Sequence, residues 1–127
     1  MNQKKSGFTI IELTMALTLL VIAIFSLAQL SLVSINAQTQ ASLRTTAASL
    51  AKSYMEEIKT RDPSTLADES TLAINEWGDS DSMAVFSRSL EIDSLAANLT
   101  RVKVVVTYPK SDVPVVMENI IYTTTFD

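Results

Sequence analysis

Between Glu12 and Arg44 the chain runs for 31 residues without a charged side chain. From Leu13 to Leu32 it is built of Leu, Ile, Val, Ala, Met and Phe, broken only by the neutral polar residues Thr14, Thr18, Ser26, Gln29 and Ser31. A helix of about 20 apolar residues spans the hydrocarbon core of a bilayer, so this run is long enough to cross one. Lys4 and Lys5 precede it and the next basic residue is Arg44. The positive-inside bias therefore predicts residues 1–7 in the cytoplasm and everything beyond about residue 35 exported.

The remaining composition narrows the function. The chain has no Cys and no His, which removes thiolate nucleophiles, Cys/His zinc sites, Ser-His arrangements and the acylated Cys of a lipoprotein. We therefore expect no enzyme. A net charge of -4, with almost all the acidity after residue 55, argues against a nucleic-acid partner. With two glycines in all, no glycine-rich phosphate cradle can form. The apolar run also continues past residues 23–28, where a secretory signal would need a small-x-small cleavage site. Three readings remain: an uncleaved signal anchor, a weakly cleaved secretory signal, or a chain cleaved before the apolar run.

Glu12 separates them. A charged side chain carried to the centre of a membrane helix costs roughly 2.5–3.5 kcal/mol, so an ionisable group at its edge calls for a partner. The bland alternative places Glu12 in the headgroup layer beside Lys4 and Lys5. The stretch Lys4-Lys5-Ser6-Gly7-Phe8-Thr9-Ile10-Ile11-Glu12, abutting a charge-free spanning segment, resembles the class III signal of type IV pilins and pseudopilins. The resemblance implies cleavage by a prepilin peptidase between Gly7 and Phe8, N-methylation of Phe8, and pairing of Glu12 with the N-terminal amine of a neighbouring subunit. It also implies a bacterial inner-membrane precursor, an inner-membrane assembly platform, and a filament built by packing of the N-terminal helices. Physically, cleavage removes both lysines, creates a cation at Phe8 and offers Glu12 a partner whose register matters.

The helical pattern continues beyond the apolar run. Residues 31–61 hold no Pro and no Gly, and Ala47, Leu50, Ala51, Tyr54, Met55 and Ile58 recur at helix spacing as one apolar stripe. Glu57 and Arg61 form an i,i+4 pair, and Asp62-Pro63 supplies the stop. One helix is expected from about Thr9 to Arg61, roughly 80 Å long. Residues 62–82 read as a connecting loop, with room for a short helix near residues 64–68. Strands are expected at residues 83–92, with Phe86, Leu90 and Ile92 on one face interrupted by Arg88, and at 101–108, where Val102, Val104, Val106 and Tyr108 alternate with polar residues. A third is expected at 115–126, after a turn spanning Pro109 to Pro114, and residues 93–99 read as a loop or helical turn. The fold class is α+β: a long N-terminal helix whose second half packs on an antiparallel sheet of three to four strands. The organisation is a leader at 1–7, a transmembrane or filament-core helix at 8–35, and an exported globular domain at 36–127.

Other candidate sites are weaker. Glu76, Asp79 and Asp81 suggest calcium, but the loop lacks the further ligands and glycine of an EF-hand, and a solvated acidic loop is preferred. No cofactor is expected. Trp77 is expected to tuck over the core, and Arg101 and Lys103 to be solvated strand charges. Within the resembling family, residues 47–61 and the Val-rich strand at 101–108 are similar to minor pilins of the V type and I-type minor pseudopilins. The chain also lacks the membrane-helix Pro and C-terminal Cys pair of many major pilins. The resemblance then implies a tip or initiation complex of minor subunits. A major pilin is the alternative within the family. Outside it, the alternative is a bitopic signal-anchor binding protein that forms no filament.

Overall fold

A computed structural model describes residues 7–122. Lys4 and Lys5 of the expected leader, and the last four residues of the expected 115–126 strand, lie outside the described residues. The chain divides into two compact units whose boundary falls between Thr39 and Gln40. A single helix, α1, spans Ile10–Thr60. It is long because nothing in it breaks a helix, and it stops just before Asp62-Pro63. There the Asp62 carboxylate accepts the Ser64 amide at 2.9 Å and caps a one-turn 3-10 helix, Pro63–Thr65.

The second unit holds the α+β core. Four antiparallel strands follow α1 in the order β1 Glu69–Ile74, β2 Phe86–Ala96, β3 Leu99–Thr107 and β4 Val115–Tyr122, each paired with the next. β3 is central and its alternation decides the face. Val102, Val104 and Val106 are fully buried, while Lys103 and Val105 turn to the other side. Onto them α1 lays Ala47, Leu50, Ala51, Tyr54, Met55 and Ile58, the six residues of the expected stripe, all buried. Ile74, Phe86 and Leu90 complete the core, with Val115, Met117 and Ile121 half-buried along its β4 side. Burying each large aliphatic side chain contributes about 1.5–3 kcal/mol.

The structure corrects two loop readings. Within 62–82, Glu69–Ile74 forms a fourth strand at the sheet edge. Only Ile74 in it is fully buried, and a register shift between Glu69 and Leu72 breaks the two-residue period, so no alternation marks it in sequence. Residues 93–96 belong to β2, which runs on to Ala96 before the Ala97-Asn98 turn. They are held by ladder pairs such as Asp93 with Arg101 and Ser94 with Thr100 rather than by burial. At its other end β2 starts at Phe86, not residue 83, because Asp81 accepts the Met83 amide at 2.9 Å and Ala84 bonds back to Asp81, making a turn.

Candidate functional site

At its N-terminus α1 begins with Thr9-Ile10-Ile11-Glu12. The Thr9 hydroxyl accepts the Glu12 amide at 3.3 Å, and the Thr9 carbonyl accepts the amides of Glu12 and Leu13 at 3.1 Å. Thr9 therefore caps the helix, half of the T-x-x-E capping box that the sequence spacing offered and that the sequence reading passed over. The reciprocal half is not made: among the described residues the Glu12 carboxylate has no hydrogen bond and no ion pair. An acid in the first turn also suits the helix dipole by about 0.3–1 kcal/mol. Gly7 has open space where a Cβ would stand, and Phe8 is 84% exposed. The three residues singled out in sequence thus lie together on an accessible helix start.

Residues 10–39 bury no side chain; every large apolar residue from Ile10 to Ile35 is exposed. Five of their hydroxyls nevertheless donate to carbonyls of the same helix. Thr14 donates to the carbonyl of Ile11, Thr18 to Thr14, Ser26 to Ile22, Ser31 to Leu27 and Thr39 to Ile35, at 2.8–3.0 Å. Such back-bonding gives a hydroxyl in an apolar helix an acceptor within the helix itself. The helix is long and apolar enough to cross a membrane.

A second constellation, unread in sequence, ties the α1 end to the sheet. Tyr54 donates its hydroxyl to Glu69, Arg61 reaches Glu69 at 2.9 Å and Glu57 at 2.7 Å, and the Arg88 guanidinium lies 3.4 Å from the centre of the Tyr54 ring. Burial and the bond to Glu69 push the Tyr54 phenol up to about 12. Burial raises the Glu69 carboxyl, but the bonds from Tyr54 and Arg61 outweigh it and hold it below the usual range. The bond to Glu57, then that to Glu69, raises Arg61. Arg88, an interruption in the β2 pattern, is thus on the core face by virtue of its aromatic partner. The i,i+4 pair Glu57–Arg61 was legible; its extension to Glu69 depends on the unpredicted strand β1.

The acidic loop holds a turn. The Asn75 side chain accepts the amides of Trp77 and Asp79, each at 3.0 Å, and Gly78 adopts φ 94°. Glu76, Asp79 and Asp81 are exposed, and among the described residues no group of three or more acidic side chains is placed to hold a metal ion. Trp77 does not tuck over the core: it is 77% exposed, and Gly78 takes the place beside Leu50. Lys103 is paired with Glu91 across β2 and β3 at 2.7 Å, not merely solvated, and that bond raises its pKa.

Two features define the class: a helix fit to span a membrane, and an α+β domain built on that helix's continuation. Comparison of the chain with protein-family models, curated proteins and solved structures finds no match.

Proposed function

We propose that this chain is a minor pilin or pseudopilin subunit, inserted in the bacterial inner membrane with its sheet domain outside the cytoplasm. A prepilin peptidase cleaves it after Gly7, Phe8 is N-methylated, and the assembly platform delivers it to a filament or secretion pseudopilus, at a tip complex with other minor subunits. The observation that carries this reading is the Glu12 carboxylate: on the first turn of an exposed apolar helix, four residues from Phe8, and without a partner among the described residues. In hydrocarbon such a group needs a counter-charge, and the amine created at Phe8 of a neighbour supplies one of the right sign. The accessible Gly7 and the Thr9 cap, which starts the helix immediately beyond the cleavage point, support the same reading.

Glu12→Gln tests it, since the amide keeps the side-chain shape and leaves the Thr9 cap untouched. The variant should insert and lose its leader normally, yet fall well below wild type in co-isolation with partner subunits from its native host. Normal assembly of Glu12→Gln contradicts the pairing role. Shearing and pelleting of surface fibres separates the subunit classes: a tip component is scarce in the pellet, an abundant pilin dominates it.

A further inference from the structure

The sheet ends in β1 on one side and β4 on the other, and only the β1 edge is guarded. Along β1 the register slips between Glu69 and Leu72, and residues 79–81 fold back on the outer flank of the strand. Ile74 pairs with Phe86 on one side and with Ser80 on the other, and the Asp81 amide donates to the Ala73 carbonyl at 3.1 Å. β4 has none of the usual protections of an edge, which are a bulge, a lysine, a proline or a covering segment. Its eight residues keep one unbroken register with β3, contain no Lys, no Pro and a single charge, Glu118, and have no strand on their other side among the described residues. Val115, Met117 and Ile121 are only half-buried along the core, and Val116, Ile120 and Tyr122 are exposed on the opposite face. An apolar strand with a free row of backbone N–H and C=O groups is a template for one more strand.

A groove beside the start of β4 adds a charge to this edge. A cavity of about 590 Å³, inside the roughly 300–1,000 Å³ range of ligand sites, opens with Arg44 and Ala48 of α1 on one wall and Val115 and Val116 of β4 on another. Arg44 is the only charged residue that lines it; Asp112, in the adjoining turn, is exposed and does not. Among the described residues Arg44 makes no side-chain hydrogen bond and no ion pair, and the hydroxyl of Tyr108, a further lining residue, makes no hydrogen bond. Charge in the groove therefore selects an acid, and the planar fork of an arginine matches a carboxylate. We propose that β4 receives an extended segment of another protein as a fifth, antiparallel strand, with an Asp or Glu near the C-terminal end of that segment seated on Arg44. The antiparallel direction continues the pairing of the whole sheet and sets that end beside Val115. A second copy of the chain does not suit the edge. Antiparallel pairing of β4 with β4 turns one sheet half a revolution about its normal, so the two α1 helices run in opposite directions. Two chains anchored in one membrane with one orientation cannot meet that way. The proposal is independent of leader cleavage and of Glu12.

The test uses the full-length chain in detergent micelles and the fluorescein-labelled peptide Thr-Val-Thr-Val-Thr-Glu-Thr-amide, whose Val and Glu side chains share one face of a strand. Fluorescence anisotropy reads the binding, and hydrogen exchange reads its place. The expected result is saturable binding with slowed exchange in β4, and binding roughly fivefold weaker when Gln replaces Glu, the ratio for one exposed ion pair. Binding should be lost when Pro replaces the third and fourth residues of the peptide, since one of those two amides must donate to β4. Arg44→Gln, at an exposed position, should bring the Glu and Gln peptides to equal binding and leave the Pro peptide inactive. No saturable binding, equal binding of the Glu and Gln peptides to the unaltered chain, or binding of the Pro peptide overturns the proposal. So does protection of β4 that rises with chain concentration before any peptide is added, which would give the edge to a second copy.

Discussion

The two halves of α1 are one helix with two kinds of surface. From residue 10 to 39 it shows apolar side chains on every side and buries none. From 40 to 60 it buries one stripe of six residues against the sheet and turns Lys52, Glu56 and Lys59 outward. The same backbone geometry serves both, so the difference lies in what each surface needs. A stripe is satisfied by four strands of its own chain; an apolar cylinder is satisfied only by lipid or by other helices. Stability of the domain should therefore depend on the second half, and membrane retention on the first.

The strongest way to break that division is a pair of matched truncations. Ile58→Ala, at a fully buried position, should destabilise the domain by about 2–5 kcal/mol in urea unfolding of the full chain in micelles. Ile22→Ala, at a position 57% exposed, should change that unfolding by no more than about 0.5 kcal/mol. Equal losses would mean that the first half also belongs to the folded core. Next in size, Leu20→Arg places a charge in the middle of the apolar run and should cost about 2.5–3.5 kcal/mol of membrane insertion, read as protein released by alkaline extraction, with the domain still able to fold.

A smaller effect sharpens how the second half is tied down. Glu69 joins Tyr54 and Arg61 across the helix–sheet seam, and Glu69→Ala should cost about 1 kcal/mol, limited because the carboxylate is partly exposed and Arg61 retains Glu57. Its carboxyl is held below the ordinary value, so the unfolded chain binds the proton more readily. The contribution is full above the usual glutamate pKa of about 4.3 and is lost as pH falls through the lower folded value. The urea midpoint of wild type should therefore drop across that range more steeply than that of Glu69→Ala. The smallest effect belongs to the solvent-exposed strand pair Lys103–Glu91: Lys103→Ala should lower the urea midpoint only slightly, and the difference from wild type should shrink at high salt.

What could be read from the sequence follows the same contrast. α1, its stripe and the β3 alternation were legible because long regular patterns of burial leave long regular patterns of residue type. β1 was not, since only Ile74 in it is fully buried and its register shifts, and the end of β2 was not, since residues 93–96 are exposed on both faces. Gly7, Phe8 and Glu12 were singled out by a motif, but the Thr9 cap beside them was passed over although T-x-x-E is its usual spacing. Trp77 was misjudged, and the role of Arg88 on its face of β2 went unread, for one reason. A cation on a core face and an aromatic held in solvent both depend on partners distant in sequence, Tyr54 for one and the Asn75 turn for the other.

The most direct test is the intact mass of the chain extracted from membranes of its native host, with sequencing of the N-terminal peptide. The expected result is a chain that begins at an N-methylated Phe8, having lost residues 1–7. A chain that still begins at Met1 in cells with an active prepilin peptidase would contradict the filament proposal. It would leave a plain membrane anchor carrying an α+β domain.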